Sequence, residues 1–119
     1  NRARRENPAL HQDWNLRFVS SDNAELICYA KFNDGRSNTI VTVVNLDPYH
    51  KRSAFLELPL EELGIDPAQP YQMDDLLSGE SYLWQGARNY VELDPHACPA
   101  HVFRVQQRLR SEKDFQPFA

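Results

Sequence analysis

Four glycines in 119 residues are too few and too scattered to cradle a phosphate, which needs several close backbone approaches within one loop. Cysteine is scarce as well. Cys28 and Cys98 stand far apart and no CxxC motif is present, which excludes a zinc ribbon and a thioredoxin-like redox motif. An isolated pair in a domain able to build a core reads as reduced thiols of a cytosolic protein, although the spacing leaves open whether they pair. No apolar stretch approaches the roughly 18 residues of a transmembrane helix. The opening Asn-Arg-Ala-Arg-Arg-Glu lacks both an initiating Met and the apolar core of a signal peptide, so the chain reads as a fragment or a processed form. A basic excess is missing too: the formal net charge is -4, which argues against a nucleic-acid or anionic-membrane partner. Two small basic patches remain, Arg2, Arg4 and Arg5 near the start and Arg104, Arg108 and Arg110 near the end. Both read as solvated surface or ion-pair partners.

What is present is an ordinary globular composition, 41% apolar and 25% charged. A chain this long buries roughly two-thirds of its unfolded surface, enough for one core without staples. Asn1 to Ala9 is polar and helix-permissive, and Pro8 ends it. It cannot bury a face alone and reads as the tail of a helix or a leader. From Trp14 the period changes to two, the signature of strands. Trp14, Leu16 and Phe18 alternate with polar residues. Leu26, Cys28, Ala30 and Phe32 share one face of the next strand, and Asn33-Asp34-Gly35 signals a hairpin. Thr39 to Leu46 is apolar on both faces, as in a central strand, and Asp47-Pro48 ends it. Ser53 to Leu58 follows. Pro59 to Ile65 is the one internal helical turn, with Pro at its start and Gly64 at its end. Further strands fit Tyr71 to Leu77, Ser81 to Trp84, Arg88 to Leu93 and Ala100 to Val105. Seven or eight short strands, separated by turn signals at roughly 8–12-residue spacing, predict an all-β fold, an antiparallel β-sandwich or barrel. No domain boundary interrupts Trp14 to Val105.

Chemistry-bearing clusters are sparse. His96, Cys98 and His101 are zinc-ligand types in close sequence, but a structural zinc usually takes four protein ligands. A strand beginning at Ala100 turns His101 into the sheet and leaves His96 and Cys98 in a loop, so no metal and no cofactor is expected. Asp74 and Asp75 point to opposite faces of a strand, and Glu61 and Glu62 suit a helix N-terminus. No Ser sits in a Gly-x-Ser-x-Gly elbow, and neither Cys has a clear His partner that would activate it. No catalytic residue is assigned. Tyr82, Trp84 and Tyr90 crowd one predicted hairpin, with Gln85, Arg88 and Asn89 between them. Such aromatics build a core or an interdomain contact, and alternatively stack on sugar rings. They are the only carbohydrate-binding candidates, with an α-glucan as the ligand to test.

Several strings together resemble one family. RRENPAL (Arg4 to Leu10), VVNLDP (Val43 to Pro48), LPLEELGI (Leu58 to Ile65), YLWQGARNYVELDP (Tyr82 to Pro95), PAHVFRV (Pro99 to Val105) and SEKDFQPF (Ser111 to Phe118) look like the C-terminal region of maltose-1-phosphate-dependent α-1,4-glucan maltosyltransferases, within the α-amylase superfamily. VVNLDP alone also fits an α-amylase or a trehalose synthase, for which an auxiliary carbohydrate-binding module is the alternative role. The acidic-aromatic tail favours the maltosyltransferases. The resemblance implies that residues 1–10 end the last helix of a catalytic (β/α)₈ barrel and that residues 11–119 form a C-terminal β-sandwich packed on that barrel. It implies a bacterial, cytoplasmic, homodimeric parent. The catalytic residues are not implied here. Retaining transfer needs two carboxyl groups about 5–5.5 Å apart, carried on a barrel of about 250 residues.

Overall fold

The computed structural model describes residues 14–33, 35 and 38–107. The expected helical tail at 1–10, the basic residues Arg2, Arg4, Arg5, Arg108 and Arg110, and the segment 111–119 lie outside them. Eight strands form: β1 (Asn15–Ser21), β2 (Leu26–Phe32), β3 (Thr39–Asn45), β4 (Arg52–Glu57), β5 (Tyr71–Asp75), β6 (Ser81–Trp84), β7 (Arg88–Leu93) and β8 (Ala100–Gln107). One short helix, α1 (Leu60–Leu63), lies between β4 and β5. All pairings are antiparallel, in the order β6-β5-β8-β3-β2-β1-β4-β7.

The sheet folds over at β1. Asn15 to Val19 pair with β2, while Ser20 and Ser21 pair with Glu57 and Leu56 of β4. The result is a larger layer, β6-β5-β8-β3-β2-β1, facing a smaller one, β1-β4-β7. This is the expected all-antiparallel sandwich, with β3 central as its two-sided apolar sequence requires. The inward residues are the even-spaced apolar sets: Leu26, Cys28, Ala30 and Phe32 from β2, Val41 and Val43 from β3, Phe103 from β8, and Tyr71 and Met73 from β5. Ala54, Leu56, Val91 and Leu93 meet them from the smaller layer. Each fully buried large side chain in this cluster contributes about 1.5–3 kcal/mol.

Helix α1 closes one end of the sandwich. Pro59 stands at its N-cap, and Gly64 ends it at φ 73°, the left-handed conformation that costs Gly least. Leu60, Leu63 and Ile65 enter the core, while the exposed Glu62 accepts a 2.7 Å hydrogen bond from Arg17 Nε. After β3 the chain turns through a buried polar knot. Asn45 Nδ2 donates to the carbonyls of His50 and Leu93, both at 3.0 Å. Asp47 accepts from the Tyr49 and His50 N–H groups and from Arg52 Nε and Nη2, at 2.7–3.2 Å. The Tyr49 N–H, with Arg52 and His50, overrides burial and holds the Asp47 carboxyl well below its ordinary range. Asp47 and likewise Asp94, which accepts from the His96 N–H at 2.9 Å, are turn caps, as their Asp-Pro contexts predict.

One expected pairing does not form. β6 and β7 are not a hairpin: β6 pairs with β5, and β7 pairs with β4. The link Gln85 to Ala87 is a corner that carries the chain from one layer to the other, and Gly86 turns it at φ 76°. The corner is fastened from inside. Tyr71 Oη donates to the Gly86 carbonyl at 2.6 Å, and Asn89 Nδ2 donates to both, at 3.1 and 3.0 Å. Burial pushes the Tyr71 hydroxyl up to about 12, against the opposing Asn89 bond.

Candidate functional site

Because β6 and β7 are the free edges of the folded sheet, a groove of about 250 Å³ opens between the layers there. Tyr82 and Trp84 from β6, Tyr90, Val91 and Glu92 from β7, and His101 and Phe103 from β8 line it. The three aromatic candidates therefore reach one groove, but they do not make one platform. Trp84 is only 8% exposed. It packs edge-on against Tyr71 and Phe103, with ring centroids 6.4 and 5.3 Å away, and so belongs to the wall. Tyr82 shares its face and stands at the rim, 38% exposed, edge-on to His101 and Phe103 at 6.0 and 5.9 Å. Its hydroxyl donates to Glu80 at 3.0 Å. Tyr90 belongs to the other face of β7, packing on Phe55 at 5.3 Å, with Arg88 over the Phe55 ring.

Beside the groove lies a polar cluster built from three separate segments. Asp75 ends β5, Cys98 lies in the loop before β8, and His101 is the second residue of β8. Asp75 is 1% exposed. Its Oδ2 is 2.7 Å from His101 Nδ1 and accepts from the Ser78 hydroxyl at 3.0 Å, while Oδ1 accepts from the Leu77 N–H at 3.0 Å and the Val102 N–H at 3.4 Å. Burial would raise its carboxyl, but the hydrogen bonds from His101, Leu77 and Ser78 outweigh burial and leave it below its ordinary value. Cys98 Sγ lies 3.9 Å from His101 Nδ1 and donates to the Ala100 carbonyl at 3.2 Å.

The cluster corrects one expectation: Cys98 does have a His neighbour. That neighbour does not make it an activated thiolate, since partial burial and the Asp75 charge push the thiol up. Cys28 is buried in the core and both cysteines are free, which answers the question of pairing. His96 is not part of the cluster; it is exposed in the Asp94 turn. Asp74 and Asp75 diverge as the pleat requires. Asp74 faces outward to Gln72, Ser81, Gln106 and Arg104. The sequence hid Asp75 because its partner lies 26 residues away, joined only by the β5–β8 pairing. The one available signal was that Asp75 shares the inward face with Tyr71 and Met73.

The groove carries one carboxylate, Glu92, among the described residues, whereas retaining glycosyl transfer needs two at fixed separation. Fold and site together define an antiparallel β-sandwich domain whose groove presents a single carboxylate among the described residues. The family described as "GLGE, C-terminal" matches residues 18–105, and the chain belongs to that family. It is 46% identical over 105 residues to alpha-1,4-glucan:maltose-1-phosphate maltosyltransferase 1 of Streptomyces coelicolor, covering 88% of this chain and 15% of that protein. It is 41% identical over 115 residues to the maltosyltransferase of Myxococcus xanthus, covering 97% and 17%. The chain thus spans about one-sixth of the length of these relatives. Among solved structures, a GH27 β-L-arabinopyranosidase from Geobacillus stearothermophilus shares the fold, with a TM-score of 0.60 at 18% identity over 85% of this chain and 21% of that one.

Proposed function

We propose that this domain serves as a structural support, packed by the outer face of its larger layer onto the catalytic region of a parent that transfers maltosyl units from maltose 1-phosphate to α-1,4-glucan. The observation that carries this is an exposed apolar stretch on the outer face of the larger layer. On the larger layer, Leu16 and Phe18 of β1, Ile27 and Tyr29 of β2 and Val44 of β3 lie in adjacent register as an apolar stretch, bordered on the same face by Lys31, Thr42 and the Arg104–Asp74 pair. Phe18 is 75% exposed on it. The smaller layer's outer face carries only the Phe55–Tyr90 aromatic pair, set among ion pairs of Arg88 with Glu57 and Asp22 and of Lys51 with Glu92. A contiguous exposed apolar patch marks an interaction surface, and a domain of a longer chain meets the rest of that chain first. In the full-length parent, Phe18→Lys is expected to lower the unfolding temperature and to open the linker to protease, while Tyr90→Lys on the opposite layer does neither. Equal tolerance of both substitutions would sink this reading. From the family resemblance we also infer a cytoplasmic, homodimeric parent, and sedimentation of the full-length enzyme checks its oligomeric state.

A second reading has its own observation, the convergence of Tyr82, Trp84 and Tyr90 on one groove. A short α-glucan seated there would stack on Tyr82 and use Glu92 as a hydrogen-bond acceptor. Maltooligosaccharide titration of a Trp14→Phe chain should then saturate a change in Trp84 fluorescence, and Tyr82→Ala should abolish it. An unchanged spectrum at millimolar sugar removes the reading.

A further inference from the structure

We propose that Asp75, Cys98 and His101 form a binding site for a divalent cation of the zinc class. The three ligand atoms, one oxygen, one sulfur and one ring nitrogen, all lie within 4.8 Å of one another. Tetrahedral zinc, with bonds of about 2.0–2.3 Å, sets neighbouring donors roughly 3.3–3.8 Å apart. The spacings of 2.7 Å between Asp75 Oδ2 and His101 Nδ1 and 3.9 Å between Cys98 Sγ and the same nitrogen bracket that value. With the separation of Asp75 from Cys98 also within 4.8 Å, shifts of up to about one ångström admit the ion. The set is not a local loop accident. The β5–β8 register, which pairs Asp75 with Phe103, delivers two of the ligands from different strands, at the end of β5 and the start of β8.

The surroundings suit a cation in two further respects. The first is orientation. Ser78 and the Leu77 N–H hold the Asp75 carboxylate, and Phe103 stacks on the His101 ring at 4.7 Å and 25°. Such outer contacts fix ligand geometry in metal sites. The second is charge. Among the described residues no Lys or Arg pairs with Asp75, and the charges that reach Cys98 are those of Asp75 and Glu80, both negative. A divalent cation neutralises this field. Water can take the fourth position. Cys98 must bind as the thiolate, so binding expels its proton to solvent. His101 binds as the tautomer that carries its proton on Nε2 and leaves Nδ1 free for the ion. This site stands independently of the packing and glucan readings.

Cobalt(II) titration of the 119-residue chain tests it, because a tetrahedral thiolate site gives a sulfur-to-metal charge-transfer band and intense visible d–d bands. One equivalent should bind, and zinc should bleach both sets of bands. Cys98→Ser should remove the charge-transfer band, and His101→Gln should weaken binding by more than the roughly 10–100-fold that follows loss of an outer-shell contact. Cys28→Ser and His96→Ala should leave the spectrum unchanged. Circular dichroism of Cys98→Ser, a near-isosteric change, separates loss of the ligand from loss of the fold. Absence of a charge-transfer band from the unsubstituted chain overturns the proposal, and so does a band that survives in folded Cys98→Ser.

Discussion

At the residue scale, the polar groups that matter are those buried with complete hydrogen bonding, since an unpaired one costs about 1–3 kcal/mol. Asp47 is the clearest case, capped by two backbone N–H groups and forked by Arg52. Its folded carboxyl titrates below the unfolded value of about 3.9. The sign follows directly: its contribution is complete above that value and is lost as pH falls toward the folded one. Arg52 keeps its charge throughout. Asp47→Asn should therefore unfold at lower urea than the parent sequence at pH 7, and the gap should close as the pH drops below about 4. A gap that stays constant down to acid pH would show that Asp47 acts through shape alone. This residue was legible in the sequence, because Asp before Pro at a strand end is a local signal. Asp75, by contrast, was read only as one of two diverging acids. Its partners His101 and Cys98 are supplied by a strand pairing that no local window contains.

At the scale of elements, the strands were legible for the same reason. Period-two alternation in Leu26 to Phe32 and β-branched runs in Thr39 to Asn45 are properties of single segments. Register and connectivity are not. Tyr82 and Tyr90 read as neighbours across a hairpin, yet the corner at Gly86 places them on different layers and different faces. The physical reason lies elsewhere in the chain: β5 pairs all four residues of β6 and β4 pairs all six of β7, where a β6–β7 hairpin could pair only the four residues of β6. Helix α1 gives a quantitative test of what an element contributes. It is only one turn long and far too short to be stable alone, so tertiary contact must hold it. Leu63 is fully buried, and Leu63→Ala should cost about 2–5 kcal/mol in urea unfolding. Glu62→Ala, which removes the exposed pair with Arg17, should cost about 0–1 kcal/mol. Equal effects of the two would mean that the helix docks by its charge rather than by its apolar face.

At the scale of the whole molecule, the sharing of β1 between layers has a thermodynamic consequence. Neither layer can open without breaking pairing in the strand that both use, and one contiguous core spans both. The described domain should therefore unfold in a single cooperative step. Cys28 reports on that step. It is 2% exposed at the centre of β2, and burial pushes its thiol up to about 12, so the folded state offers neither access nor thiolate to a disulfide reagent. In a Cys98→Ser background, labelling of Cys28 at neutral pH should be negligible in the native state. Its rise with denaturant should overlay the loss of the circular dichroism signal. Labelling that begins well before that transition would reveal the smaller layer, β4 and β7, peeling away first, which the two-residue pairing of β1 with β4 makes the weakest seam. Coincident curves would show instead that core packing between Leu56 and Leu93 on one side and Phe32 and Phe103 on the other outweighs that short ladder. The domain would then present its apolar outer face to the rest of the parent as one rigid unit.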